Sequence, residues 1–295
     1  MGPPRRTVAT EEHDGVIRAT CRTAYGSRFA HAEARVAGAG RLDDLQLQHA
    51  AAEAYRLVRR ALQDGPSPHP VRFWNFIPGI VDAAADARLD RYMVFNAGRY
   101  AALADWFHAG DREQLAPHIA TATGVGHPDP DLVVHALADR HPGTPVENPR
   151  QRAAYRYSKA YGPLPPCFAR ATVVDLDAFP PLDLGPGRAD HRGRCVLVGG
   201  TSSIVGESSV HVGDVAAQTH ETLENIDALL RHAGAHGVVS LKAVRVYVVD
   251  PADLGTVTGV VDDRLKHLAQ QPEVVLAPLC RRDLGVEIEG LARVG

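Results

Sequence analysis

The sequence predicts an α/β fold of the α+β kind, built from two units that are each a β-sheet backed by helices. Three patterns carry that expectation. Amphipathic helical stretches alternate with β-branched and aromatic runs in the first half. The second half reads β-α-β-α-β-β, and helix, strand and helix recur at nearly the same intervals in both halves, as two related units packed side by side would require. The expected units are residues 1–150 and 151–295, parted near the Pro- and Gly-bearing stretch His141 to Arg150.

In chain order, Leu42 to Gln63 places Leu45, Ala52, Tyr55, Val58 and Leu62 in one broad stripe, and Asp64-Gly65-Pro66 ends that helix. Val71 to Ile77 reads as a strand closed by Pro78-Gly79, and Leu89 to Phe107 returns to helical period. Thr121 to Asp131 reads as turn-rich and Leu132 to Ala138 as a short strand. Cys195 to Val198 is a strand leading into a Gly199-Gly200-Thr201-Ser202-Ser203 turn. Asp214 is placed to cap a helix with Leu223, Ile226, Leu229 and Leu230 inward, ended by Gly234 and Gly237. Leu241 to Asp250 is a strand, Asp253 to Ala269 a second helix, and Val274 to Leu279 and Gly285 to Leu291 two closing strands.

Composition narrows the function. A chain of 295 residues with 45% hydrophobic content can build a real core, and a net charge of -3 argues against nucleic acid or an anionic membrane as partner. The expected ligand is small. Lys159, Lys242 and Lys266 are the only lysines, so the positive charge is almost all arginine, whose fork grips carboxylates bidentately. The scattered Cys21, Cys167, Cys195 and Cys280 read as reduced thiols. Met1 to Asp14 lacks an apolar targeting core and no long apolar run follows, so the expected compartment is the cytoplasm.

Several chemistries lack their patterns. There is no HExxH or Cys/His cluster, and His211 and His220 read as structural or surface residues, so no metal is expected. The Gly199-Gly200 pair fits neither GxGxxG nor GxxxxGK[ST], and no GxSxG elbow is present, so Ser202 and Ser203 read as turn residues. More informative is Arg150 to Arg170, where Tyr155, Arg156, Tyr157, Tyr161 and Arg170 cluster about a Pro-rich turn, with Arg91-Tyr92 and Arg99 on one helix. Such a set suits a dianionic ligand, although each residue taken singly also fits a solvated face or a half-buried core. In Leu284 to Gly290, Val286 and Ile288 share one side of the strand and Glu287 and Glu289 the other. The acids face either water or a pocket, and in a pocket burial would raise a carboxyl pKa into the useful range.

Seven blocks in order resemble the chorismatases: RFWNFIPGI (Arg72 to Ile80), DRYMVFNAGR (Asp90 to Arg99), ATGVG (Ala122 to Gly126), ENPRQRAAYRYSKAYGPLPPCFARAT (Glu147 to Thr172), GGTSSIVGESSVHVGD (Gly199 to Asp214), QTHETLENIDALL (Gln218 to Leu230) and CRRDLGVEIEG (Cys280 to Gly290). The last three blocks are also similar to the small RidA-type deaminases. The resemblance implies two RidA-like, chorismate-mutase-like units, a degenerate N-terminal one and a C-terminal one carrying most of the active site. It implies loss of pyruvate from chorismate, with no metal and no organic cofactor. It places the catalytic glutamate at Glu287, with Glu289 as fallback, and a product-directing cysteine at Cys280. Arg99, Arg156, Tyr157, Tyr161, Arg170, Thr201 and Ser202 are the expected substrate contacts. The expected ring product is 3-hydroxybenzoate, with a dihydroxycyclohexadiene carboxylate or 4-hydroxybenzoate as alternatives, because Ser202 stands where glycine or alanine is expected. A RidA-like imine deaminase would not need the first half or the Glu147 to Thr172 block. A non-catalytic metabolite-binding protein would have no reason to keep the acid beside the cysteine.

Overall fold

The computed structural model describes residues 5–6, 12–13, 17–26, 28–63, 65–86, 88–175 and 193–294. The reading of Met1 to Asp14 therefore falls mostly outside the described residues. The elements run β1 (Arg5–Arg6), β2 (Glu12–His13), β3 (Arg18–Tyr25), β4 (Ala30–Val36), α1 (Asp44–Gln63), β5 (His69–Pro78), α2 (Arg91–Trp106), α3 (Arg112–Leu115), β6 (Thr121–His127) and β7 (Leu132–Asp139). They continue as β8 (Thr144–Val146), β9 (Ala171–Asp175), β10 (Arg194–Ser202), β11 (Ile204–Val205), β12 (Ser208–Ser209), α4 (Val215–His232), β13 (Leu241–Val248), α5 (Leu254–Arg264), β14 (Glu273–Leu276) and β15 (Val286–Val294).

Two sheets result. The first has the order β1-β3-β4-β7-β5-β6, with β2 paired to β3, and the second β14-β13-β15-β10-β9-β8. Setting β9, β10, α4, β13, α5, β14 and β15 beside β3, β4, α1, β5, α2, β6 and β7 gives the same element order and the same strand neighbours in both sheets. Each unit also has one parallel pair, β5 with β6 and β13 with β14, bridged by a helix as a parallel connection requires. The second sheet takes up the chain at Thr144, a few residues before the expected division at 150.

Burial explains the helices. α1 hides Tyr55, Leu57, Val58 and Leu62 against the first sheet, with Leu47 packed beside Ala84 and Val94, and α4 hides Leu223, Ile226, Leu229 and Leu230 against the second. Asp90 and Asp214 cap α2 and α4 by accepting from the amides of Met93 and Ala217.

The structure corrects three expectations and adds two strands that the sequence reading did not name. Thr121 to His127 is not a turn but the edge strand β6, parallel to β5. Its glycines are small because other walls press on them: Tyr92 lies against Gly124, and Ile80 and Pro278 against Gly126. The stretch Gly199 to Ser202 is likewise strand, with a bulge, so Ser202 is not a turn residue. Strand β4 turns Ala30, Ala32 and Ala34 inward, and β3 pairs it with Ala19, Cys21 and Thr23; the alanines have low strand propensity and gave no β signal. Helix α5 ends at Arg264 instead of Ala269.

Candidate active site

A cavity of about 460 Å³ opens where the edge of the first sheet meets the second. Its wall comes from α2 (Tyr92 and Met93 in the first turn, Arg99 two turns on), from β6 (Ala122, Gly124), and from the Tyr157 to Arg170 segment. The second unit adds Gly200 and Ser202 of β10, the Cys280 to Asp283 loop, and Glu287 of β15. Among the described residues no group of three His, Cys, Asp or Glu side chains is placed to hold a metal ion, and no helix is long and apolar enough to cross a membrane.

Strand alternation puts both acids of β15 on one face, as expected, but neither faces water: Glu287 is 4% exposed and Glu289 6%. Their environments differ sharply. Glu289 accepts from Arg72 Nη2 at 2.7 Å, Thr123 Oγ1 at 2.5 Å, Trp74 Nε1 at 3.0 Å and Arg245 Nη1 at 3.1 Å. Those four donors occupy both of its oxygens. Glu287 instead points into the cavity, accepts from Ser202 Oγ at 3.3 Å on one oxygen, and leaves Oε1 buried without a partner. Burial, with repulsion from Glu289 second, pushes its carboxyl up to about 8, against the weaker opposing pull of Ser202, Arg72 and Arg170. At neutral pH this group carries a proton.

The cavity is otherwise cationic. Arg99, Arg170, Arg281 and Arg282 line it against Asp90 and Asp283, an excess of two positive charges while Glu287 stays protonated. Arg170 donates to Tyr157 Oη at 2.6 Å and to the Arg152 carbonyl at 3.0 Å, and its Nε has no partner. Arg99 is held by Asn96 Oδ1 at 2.8 Å, and its buried Nε is also unpaired. Buried guanidinium donors without acceptors are costly unless a ligand completes them. The Arg281 guanidinium lies 4.1 Å from the Tyr161 ring centroid, and the Tyr157 and Tyr161 rings are 5.1 Å apart.

Of the sequence-predicted contacts, Arg99, Tyr157, Tyr161, Arg170 and Ser202 thus line one cavity with Cys280 and Glu287. Two lie elsewhere. Arg156 is at the surface, paired with Glu113 at 2.5 Å, because the short helical turn through Ala154 to Arg156 directs it outward. Thr201 points to the other side of β10 from Ser202 and donates to the Gly199 carbonyl at 3.0 Å. Sequence reasoning missed Arg281, Arg282, Asp90 and Gly200 as lining residues, although the first two sit in the same block as Cys280 and the excess of arginine was the available signal.

Cys280 belongs to the same cavity, where burial and then the Glu287 carboxyl push its thiol up to about 12, so it stays a neutral thiol. Burial raises the Tyr92 phenol as well, with Cys280 the next cause.

Known proteins match this arrangement over most of its length. A 3-hydroxybenzoate synthase of Streptomyces hygroscopicus is 30% identical over 289 residues, which cover 95% of this chain and 77% of the relative. The chain belongs to the chorismatase family. A chorismatase of Streptomyces rapamycinicus is 34% identical over 234 residues, 76% of this chain and 64% of the relative. A crystal structure of a chorismatase aligns over 97% of this chain and 80% of its own, with a TM-score of 0.73 and 30% identity. An FkbO/Hyg5-like chorismatase N-terminal domain model matches residues 11–138, and an endoribonuclease L-PSP domain model, of the RidA type, matches residues 188–294, which hold β10 to β15 of the second unit.

Proposed function

We propose that this chain converts chorismate to pyruvate and a hydroxylated ring acid, with Glu287 as the proton donor. The observation that carries this reading is the Glu287 carboxyl, protonated and with one free oxygen, in a cavity whose two surplus positive charges suit a dicarboxylate. Arg170 and Arg99, each with an unpaired Nε, hold the two substrate carboxylates, and Tyr157 stiffens Arg170. Glu287 protonates the methylene carbon of the enol ether, the electron pair of the double bond forms the new C–H bond, and an oxocarbenium ion results. The carboxylate left behind stabilises that cation in a low-dielectric site. Water adds to the cation and returns its proton to Glu287, and the resulting hemiketal breaks its bond to the ring oxygen to give pyruvate and the ring alcohol. In the aromatising branch the adjacent ring C–OH bond then breaks, its hydroxyl leaving as water with an added proton, and the carbon that bears the retained hydroxyl loses its own proton to give 3-hydroxybenzoate, so the water added is returned and none is consumed net.

A coupled pyruvate assay on the protein incubated with chorismate tests the proposal: pyruvate should accumulate, and a folded protein that releases none overturns it. Replacing Arg170 by alanine removes a carboxylate contact worth on the order of 2 kcal/mol in a desolvated pocket, so KM for chorismate should rise about 30-fold with a smaller change in kcat. An unchanged KM would remove Arg170 from substrate binding.

The ring product proposed is 3-hydroxybenzoate. Cys280, a neutral thiol in the cavity wall, guides proton removal from the ring by position and weak hydrogen bonding rather than as a thiolate. Ser202 is tied to Glu287, which keeps its hydroxyl from holding a water freely at the ring. Chromatography of the reaction products should show that Cys280→Ala shifts the mixture toward the dihydroxycyclohexadiene carboxylate. Identical product spectra from both proteins would exclude Cys280 from product choice.

A further inference from the structure

Glu287 is aimed by a defect in the neighbouring strand. Between Val198 and Thr201 β10 advances three residues while β15 advances two, from Gly290 to Ile288, so one extra residue bulges from β10 opposite Glu289. The bulge is Gly199-Gly200. A Cβ on Gly200 would stand 2.1 Å from Glu287 Oε1, so the carboxyl fills the space that the missing side chain leaves.

Such a bulge must satisfy its backbone groups away from the ladder. The Gly199 amide donates to the Arg170 carbonyl at 2.9 Å. The Gly200 amide donates to Thr123 Oγ1 at 3.0 Å, and that hydroxyl donates onward to Glu289 Oε2 at 2.5 Å. Arg72, reaching across from β5, donates to Thr123 Oγ1 at 2.6 Å, to Glu289 Oε2 at 2.7 Å and to the Val198 carbonyl, just before the bulge, at 2.9 Å. Arg72, Thr123 and Glu289 are 2–6% exposed, so water competes little for these bonds. Two strands of the first sheet thereby grip two strands of the second at the one place where Glu287 needs room.

We propose that Thr123 is a positioning residue for the reaction: its hydroxyl, clamped between Arg72 and Glu289, pins the Gly200 amide and so fixes the strand bulge that seats the Glu287 carboxyl. The proposal rests on the reading of Glu287 as proton donor. Thr123→Val keeps the shape of the side chain and its branched packing but removes the acceptor for the Gly200 amide and the donor to Glu289. Small displacements of a reacting group cost up to about 100-fold in rate, so kcat should fall about 10- to 100-fold while KM moves by less than about 3-fold. Thr123→Ser, which keeps the hydroxyl, should restore most of kcat.

In the ligand-free protein, hydrogen exchange of the Gly200 amide should be about 10-fold faster in Thr123→Val and near wild type in Thr123→Ser. Should the valine variant fail to fold, Thr123→Ala makes the same comparison with serine. A wild-type kcat in Thr123→Val overturns the proposal, and so does a serine variant as impaired as the valine one, which would assign the role to the methyl group. If the wild-type protein itself releases no pyruvate, the functional reading fails on its own, and unaltered Gly200 exchange in Thr123→Val would then separately refute the pin.

Discussion

Glu287→Gln is expected to lower kcat with chorismate by at least about 100-fold, leaving KM and the fold nearly intact, because the amide keeps the shape of the carboxyl but has no proton to give. The geometry also says why its neighbour does not substitute. Glu289 lies two residues away on the same face, yet its oxygens are taken by Arg72, Trp74, Thr123 and Arg245 and lie outside the cavity wall. A stopped assay of pyruvate from purified wild type and variant settles the point, and a near-wild-type rate would strip Glu287 of its role.

The raised pKa adds two pH signatures. A donor with a pKa near 8 is protonated below that value, so the rate should fall as the pH rises through about 8. Stability follows the same proton. Unfolded, the carboxyl titrates near 4.5; folded, it holds its proton to about 8, so the unfolded state binds fewer protons between those values and stability declines across that window as the pH rises. Glutamine has no such penalty. Thermal melting should therefore show Glu287→Gln gaining on wild type from pH 4.5 to 8, and parallel melting curves across that range would contradict the burial of an uncompensated carboxyl.

The helices and the acidic strand were legible in the sequence because their signals are local. The stripe in α1 from Ala52 to Leu62, the Asp214 cap and the alternation of Val286, Glu287, Ile288 and Glu289 each follow from a period or a single side chain, whereas Leu45, read into the same stripe, is exposed. What was illegible depends on tertiary neighbours. Gly124, Gly126, Gly199 and Gly200 look like turn residues, but in the structure they are strand residues made small by Tyr92, Pro278, Thr121 and Glu287 pressing on them from other elements. Pattern alone could not distinguish Glu287 from Glu289 either. The choice is made by Arg72, more than two hundred residues earlier in the chain, which neutralises one acid and leaves the other in the cavity. Arg156 and Thr201 share the composition of the site without its geometry, since a helical turn and the other face of a strand carry them away.

Gly200→Ala is expected to reduce kcat about 100-fold without unfolding the protein, through a single added methyl group. Gly200 does not have a left-handed backbone, so alanine meets no conformational barrier there, and the strain falls entirely on what the new Cβ touches. That is Glu287, whose Oε1 would be 2.1 Å away and whose Cδ 2.7 Å away, with Thr123 Oγ1 next at 3.3 Å. A flexible side chain yields before two paired strands do, so the carboxyl should swing off its seat, break its bond to Ser202, and lose its aim at the substrate. Its pKa should also move as the burial changes, displacing the alkaline limb of the rate profile. Gly255→Ala in α5, where nothing lies within 4 Å of the added Cβ, serves as the control and should leave activity unchanged. The comparison is made on kcat and on melting temperature together: a Gly200→Ala protein that turns over at the wild-type rate would show that the Glu287 carboxyl does not depend on the bulge for its position.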